Sequence, residues 1–376
     1  MRGVTATVTA LMVLFIVAAF YPFGVQEPQF TSLTDQEFEQ VSLALSEAPG
    51  YFDTDNLISN EISYVHVIPK LKEVTRAGGA YLGVGPDQNF TYMVHVQPAF
   101  AVIIDLRRDN LLQHLYFKQI VESSVDRWQY LSYLFGKKIP SEFHADARAD
   151  VRTLTEHFRN FSSDPEFFEE NFREIWSSLR ARFPRLTRDE DRTTVYDIAL
   201  AFFEENLQLT FRSHGRQSRP YYPTYEQLIT EEDDQGGLNH YLNSESGFRF
   251  LKQIQSRNQV VPVIGDFAGP KTVRSVAEYL RSRSYRVSAF YLSNVESYLF
   301  QDGRFAVFVD NLSHLPVDRN SVMIRSYFNY RYLHPQTRSG YVVTSILQRL
   351  ENFLQLHDER PYRNYWDVVS RDFISN

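Results

Sequence analysis

The residues with the clearest chemical potential lie within one stretch of the chain. Two glycines follow the apolar run at residues 79–82, an amide side chain comes shortly after them, and an acid ends the next apolar run. Glycines after a strand let the backbone turn tightly and approach a ligand, and the helix that follows offers unpaired N–H groups. An acid at the end of the second strand commonly accepts hydrogen bonds from ribose hydroxyls. The pattern predicts a nucleoside-cofactor site with the binding residues Gly83, Gly85, Asn89 and Asp105.

The same stretch keeps other interpretations open. Gln88 stands where the dinucleotide fingerprint G-x-G-x-x-G has its third glycine, which disfavours NAD and FAD. The residues could also form only a tight turn and a capping acid, in a sheet that binds no ligand.

Three further polar side chains follow other predicted strands. Asp266 comes after an apolar run at residues 260–265, and Asn294 and Glu296 come after a second run that ends at Leu292. Because α/β sheets bind ligands at the carboxyl ends of their strands, these three residues are candidate catalytic groups. Asn294 could orient a substrate amide or hydroxyl, and Glu296 could act as a general base if burial raises its pKa. Alternatively, these side chains only cap or begin the helices that follow.

Several stretches resemble an uncharacterised bacterial family with a Rossmann-like core of the class I S-adenosylmethionine-dependent methyltransferase type. They are "YLGVGPDQNFTY", "IIDLRRDN" and "FYLSNVESYL". The resemblance covers residues from about 75 to 330, apart from a helical insertion.

The resemblance implies S-adenosylmethionine as the cofactor, with Gly83 and Gly85 along its methionine end and Asp105 at its ribose. Two positions depart from the methyltransferase pattern. Tyr81 stands where an acid usually precedes the first glycine, and Asp87 replaces the third glycine.

The beginning of the chain carries a separate signal. Residues 4–25 include no charged side chain, and about 20 such residues span a bilayer as a helix. Arg2 precedes this stretch and no Lys or Arg follows it before Lys70, so the positive-inside rule places the rest of the chain outside the cytoplasm. An uncleaved signal anchor is favoured over a cleaved signal peptide, because bulky aromatic residues follow the small ones. A domain that faces the cytoplasm stays open as an alternative.

Composition excludes several classes of function. The net charge is −7 without a basic block, which argues against nucleic acid as a partner. The chain has no cysteine, which excludes disulfides, thiolate catalysis and Cys-ligated metals. The histidines show no ligand spacing, so no metal site is expected. Arg325, an isolated cation among apolar residues, is expected to pair with an acid of the protein or of a substrate.

Alternating strand-like and helix-like stretches predict an α/β fold, a Rossmann-like and mostly parallel sheet with a helical insertion, preceded by one N-terminal hydrophobic helix. A helix capped by Thr34 or Asp35 and a last long helix over residues 341–357 are expected. The predicted organisation is a signal anchor or signal peptide, an N-terminal helical segment, the first half of the core, the helical insertion, and the second half of the core with a C-terminal helix, over residues 1–25, 26–74, 75–140, 141–258 and 259–376.

Two functions of different class follow. The first is a membrane-anchored, methyltransferase-like enzyme whose small-molecule or protein substrate enters between Asp266, Asn294 and the insertion. The second is a non-catalytic envelope protein that uses the same rim to bind a small ligand or a protein partner. S-adenosylmethionine is a cytosolic metabolite, so an outward-facing domain favours the second function.

Overall fold

The computed structural model describes residues 32–141, 143, 146–214 and 219–375. The predicted membrane helix at residues 4–25 lies outside these ranges. Within them, no helix combines the length and the apolar character that crossing a membrane requires.

One mixed sheet organises the described chain. Its seven strands are β1 (Ala80–Gly83), β2 (Phe100–Asp105), β3 (Val260–Ile264), β4 (Val287–Ser293), β5 (Val322–Phe328), β6 (Val343–Arg349) and β7 (Phe373–Ile374). They lie in the order β3-β2-β1-β4-β5-β6-β7. Neighbours from β3 to β5 are parallel, whereas β6 is antiparallel to β5 and β7 is antiparallel to β6. This confirms the predicted α/β class and the mostly parallel sheet.

Helices surround the sheet and fill the long connection between β2 and β3. They are α1 (Asp35–Leu45), α2 (Ile68–Val74), α3 (Gln88–Val96), α4 (Arg108–Ser123), α5 (Arg127–Phe135), α6 (Val151–Asn160), α7 (Pro165–Arg182), α8 (Asp191–Glu205), α9 (Tyr225–Thr230), α10 (Glu245–Ser256), α11 (Thr272–Ser282), α12 (Val295–Gln301), α13 (Phe305–Ser313), α14 (Leu350–Glu359) and α15 (Tyr365–Ser370). Every residue of β1, β2 and β3 is buried, as expected for strands covered on both faces.

The stretch predicted as a helical insertion contains helices α6 to α10. Apolar residues that recur every three or four positions along α7 are buried, among them Phe168, Phe172 and Leu179. These side chains belong to the same apolar cluster as the strand residues Val102 and Phe290. The insertion and the sheet therefore share one core.

The first helix begins as its sequence predicts. The hydroxyl of Thr34 accepts a hydrogen bond from the backbone N–H of Glu37 at 3.2 Å, and the Glu37 carboxylate accepts one from the backbone N–H of Thr34 at 2.8 Å. This reciprocal capping box satisfies two N–H groups that the helix itself leaves free.

The prediction of one long helix over residues 341–357 is wrong for its first half. Residues 343–349 form β6, which pairs with β5 over its whole length, and α14 begins only at Leu350. Val343, Thr344 and Ile346 are β-branched and favour a strand. Pairing with β5 therefore decides the conformation of an apolar run whose periodicity alone is ambiguous.

Candidate functional site

A cavity of about 250 Å³ lies at the carboxyl ends of β1 to β4. It sits between β1 and β4, where the chain switches from one side of the sheet to the other, and open α/β sheets bind ligands at such points. Residues after each of the four strands line it, together with Phe211 of the insertion and the segment 51–61 that precedes the sheet.

The glycine loop after β1 is shaped by the side chain of Asn89. Its Nδ2 donates hydrogen bonds to the carbonyls of Val84 at 2.9 Å and Pro86 at 2.7 Å, and its Oδ1 accepts one from the Tyr81 hydroxyl at 2.8 Å. A Cβ on Gly83 would overlap this amide oxygen, which explains the glycine. Gly83 and Asn89 thus build the loop but are not among the residues that line the cavity.

Gly85 is the glycine that reaches the cavity. Its φ is +79°, a backbone conformation that residues with a side chain rarely adopt, so glycine is needed for the turn. Its carbonyl accepts a hydrogen bond from Nε2 of His114 at 2.8 Å. Burial lowers the pKa of His114 to about 4, so the ring is neutral near pH 7 and holds the loop without adding charge.

Asp105 also lines the cavity, but its carboxylate already binds Arg107. Nε and Nη2 of Arg107 lie 3.0 and 2.9 Å from the two carboxylate oxygens. Nη1 of the same guanidinium donates to the carbonyls of Thr54 at 3.1 Å and Asp55 at 2.6 Å. Through Arg107, Asp105 therefore links the segment 51–61 to the end of β2. A ligand at this position could use only the lone pairs of Asp105 that Arg107 leaves free.

Two of the three candidate catalytic residues reach the same cavity. Asp266 lines it and pairs with Arg304 at 2.5 Å, while one of its oxygens accepts the backbone N–H of Ala268 at 2.8 Å. Asn294 lines it as well and also borders a second cavity of about 730 Å³. That second cavity is rich in aromatic side chains, including Tyr327 and Trp366.

Glu296 lies apart from the cavity lining. Its carboxylate is fully buried and binds Arg325, with Nη2 to Oε1 at 3.0 Å. Arg325 also donates to the side chain of Gln348 at 2.6 Å and lies over the ring of Phe353. The expectation that Arg325 pairs with an acid is confirmed, and the acid is Glu296. A carboxylate held in this way has no access to a ligand in the cavity.

Sequence analysis did not identify one further side chain that lines the cavity, Glu61. It is 1% exposed, and its carboxyl group accepts hydrogen bonds from the hydroxyls of Tyr291 at 2.6 Å, Ser293 and Ser326. These partners are all hydroxyls, and Glu61 forms no ion pair with a cation of the described residues. Burial raises the pKa of Glu61 in spite of the three hydrogen bonds.

Gln88 stands beside Glu61 and leaves an acceptor open. Its Nε2 donates to the Tyr291 hydroxyl at 3.0 Å, and that hydroxyl in turn donates to Glu61. Its Oε1 is buried without a hydrogen-bond partner, as is the hydroxyl of Thr54 in the same lining. The cavity therefore presents acceptor atoms that the protein does not satisfy.

Aromatic side chains form the other part of the cavity wall. Phe52 and Tyr298 meet edge to face with ring centroids 5.1 Å apart, and Phe211 and Phe267 also line the space. Such rings offer flat surfaces for a planar ligand. Within the described ranges, no group of three His, Asp or Glu side chains could hold a metal ion.

Comparison with protein families identifies one match. Residues 56–373 match the model of a domain of unknown function, DUF7790. The chain belongs to this family. No curated protein matches the chain. The DUF7790 region includes Glu61, the glycine loop and the ends of β2, β3 and β4, so it contains most of the cavity.

Proposed function

We propose that the chain binds a nucleoside cofactor of the S-adenosylmethionine class in this cavity and transfers its methyl group to an acceptor beside Asn294. The observation that carries this proposal is the meeting of Gly85 and Asp105 in one cavity at the switch point between β1 and β4. The order β3-β2-β1-β4-β5 is that of Rossmann-like sheets and supports the same fold, although β6 is antiparallel here.

The size and charge of the cavity fit a cationic nucleoside. A volume of about 250 Å³ is just below the ~300–1,000 Å³ usual for small-molecule pockets, which suits one nucleoside better than a dinucleotide. The charged side chains that line it are Arg304 and the four acids Glu61, Asp105, Asp266 and Asp302. An excess of carboxylates favours a ligand with positive charge.

Different residues of the cavity would contact different parts of the ligand. Gly85 lets the backbone approach the ligand, because this residue lines the cavity and has no side chain to fill it. Asp105 would accept a ribose hydroxyl with the lone pairs that Arg107 leaves free. When bound, S-adenosylmethionine supplies an electrophilic methyl group. Asn294 would orient the acceptor, since it lines both this cavity and the aromatic one next to it.

A titration calorimetry experiment on the full chain tests the proposal, with S-adenosylhomocysteine as ligand and NAD as the control. We expect S-adenosylhomocysteine to bind and NAD not to bind. Asp105→Ala removes a charged hydrogen bond of about 1.5–3 kcal/mol and should raise the dissociation constant by roughly 10- to 150-fold.

Arg107→Met is the matched control, because it releases the segment 51–61 and keeps the carboxylate of Asp105. An equal loss of affinity in both variants would assign the effect to the segment and would contradict a direct contact with ribose. Absence of S-adenosylhomocysteine binding by the folded chain would overturn the proposed cofactor.

A second candidate function is a non-catalytic envelope protein that binds a small ligand or a protein partner at the same rim. The pairing of Asp105 with Arg107 and of Glu296 with Arg325 favours it, because two of the expected site carboxylates already have partners. In either case, we propose that residues 4–25 anchor the chain to a membrane. The second function places the domain outside the cytoplasm, whereas use of S-adenosylmethionine, a cytosolic metabolite, places it in the cytoplasm.

A further inference from the structure

Glu61 and Gln88, which we call the floor of the cavity, present hydrogen-bond acceptors that the described donors of the protein do not fully use. Glu61 uses its carboxyl group to accept three hydroxyls, which leaves about one of its four lone-pair positions free. Oε1 of Gln88 is buried and accepts nothing. Both side chains line the cavity, and both are more than nine-tenths buried.

The charge at this floor is also unbalanced. A buried carboxylate normally has a cationic partner or becomes protonated, since an isolated buried charge costs several kcal/mol. Hydroxyls reduce this cost but bring no positive charge. The nearby carboxylates Asp105 and Asp266 have their own guanidinium partners, Arg107 and Arg304, so neither arginine is free to serve Glu61.

A protonated amine meets both conditions at once. An ammonium group carries one positive charge and three donors, and no acceptor. It could donate to Glu61 and to Gln88 together, and it would restore the ionised form of the carboxyl group. A hydroxyl would bring no charge, and a ligand carboxylate would face repulsion from Glu61.

We propose that Glu61 is the specificity-determining residue of the cavity and that it selects ligands that carry a protonated amine. The inference rests on the proposed function only in placing the ligand in this cavity, and it names the ligand group that the cavity floor recognises. Gln88 is its partner in recognition, and the Tyr291 hydroxyl between them fixes the position of both side chains.

Two pairs of probes, used with the full chain, test the inference by calorimetry. The first pair is S-adenosylhomocysteine and its analogue in which hydrogen replaces the amino group. The second pair is 1,4-diaminobutane and 1,4-butanediol, which contain no nucleoside. In the wild-type chain we expect the amine of at least one pair to bind about tenfold or more tightly than its partner.

Glu61→Gln should abolish this preference, because the amide keeps an acceptor for the hydroxyls and loses the charge. Asp87→Asn is the matched control. Asp87 is also a buried carboxyl that accepts only tyrosine hydroxyls, but it does not line the cavity, so the preference should persist. Circular dichroism of both variants establishes that they fold.

The outcomes separate the two proposals. If the diamine binds through Glu61 and neither nucleoside binds, the amine site stands and the proposed cofactor fails. If S-adenosylhomocysteine and its analogue bind equally, the diamine binds no more tightly than the diol, and Glu61→Gln changes none of these affinities, the cofactor stands and the amine site is overturned. Binding of none of the four probes overturns both.

Discussion

Two carboxyl groups are buried near the end of β4, and the fold satisfies them in different ways. Glu296 is fully buried against Arg325, in a two-point ion pair that Gln348 extends. Glu61 is 1% exposed, accepts hydroxyls only, and lines a cavity. Glu296 has a cationic partner in the protein, whereas Glu61 has only hydroxyl partners among the residues that the structure describes.

The difference separates a structural charge from a functional one. A buried carboxylate with a well-placed guanidinium holds the packing in one arrangement, and removing either partner is costly. A buried carboxyl without a cation is costly as it stands, and such groups with a raised pKa concentrate at functional sites. Burial alone therefore does not identify a site; the identity of the partners and a position beside a cavity do so together.

The largest expected effect tests the paired region. Glu296→Ala leaves the guanidinium of Arg325 buried without a countercharge and should lower the free energy of unfolding by about 3–5 kcal/mol. Urea denaturation measures the change. The double variant Glu296→Leu/Arg325→Met should recover most of the loss, because apolar side chains replace both charges. If Glu296→Ala were as stable as the wild type, the ion pair would not stabilise the fold and Glu296 would no longer differ from Glu61 in this respect.

A smaller effect is expected from a third buried carboxyl. The carboxyl of Asp87 accepts the hydroxyls of Tyr225 at 2.7 Å and Tyr241 at 3.1 Å, and burial raises its pKa to about 6. The folded chain keeps this proton up to about pH 6, whereas the unfolded chain releases it near pH 4. Stability therefore falls as the pH rises from about 4 to 6, by about 2 kcal/mol for this one group.

Asp87→Asn lacks this titration. We expect the wild-type free energy of unfolding to fall by about 2 kcal/mol relative to the variant between pH 4 and pH 6, measured by urea denaturation at each pH. Parallel pH profiles for the two proteins would contradict this prediction, because they would show that Asp87 has the same pKa in the folded and the unfolded chain.

The smallest expected effect on stability is that of Glu61→Gln. The amide oxygen can accept from Tyr291 and Ser326, which share one carboxylate oxygen, while the amide nitrogen can donate to the hydroxyl oxygen of Ser293. The variant also removes an uncompensated charge, so the free energy of unfolding at pH 8 should change by less than about 1 kcal/mol, or rise. Thermal or urea denaturation without ligand is the measurement. A loss as large as that of Glu296→Ala would make Glu61 a structural residue and would end the distinction between the two regions.

The sequence allowed most of the fold to be predicted, because the strands of the parallel part are continuous apolar runs followed by helix signals. Strand β6 was not predicted. It ends at Arg349 and α14 begins at the next residue, Leu350, so no turn residue marks the boundary between the strand and the helix. Local periodicity cannot show which strand a segment will pair with, and the pairing with β5 decides this one.

The site was predictable to the extent that it depends on strand ends. Gly85, Asp105, Asp266 and Asn294 come together because the carboxyl ends of parallel strands meet at one edge of the sheet. The partners of Asp105 and Glu296 were not predictable, because an acid at a strand end does not show which cation will reach it. Glu61 was missed, since its only local signal is an acid within a mostly apolar stretch.

The hydroxyls that bind Glu61 are synthesised long after Glu61 itself. Ser293 and Ser326 lie 232 and 265 residues further along the chain. At about 5–20 residues per second, a ribosome needs roughly 10–50 s to deliver Ser326 after Glu61. Until then, Glu61 lacks the last of its three hydroxyl partners, although β1 and the glycine loop have long been synthesised. The ligand-binding end of the sheet is thus completed only when most of the polypeptide has left the ribosome.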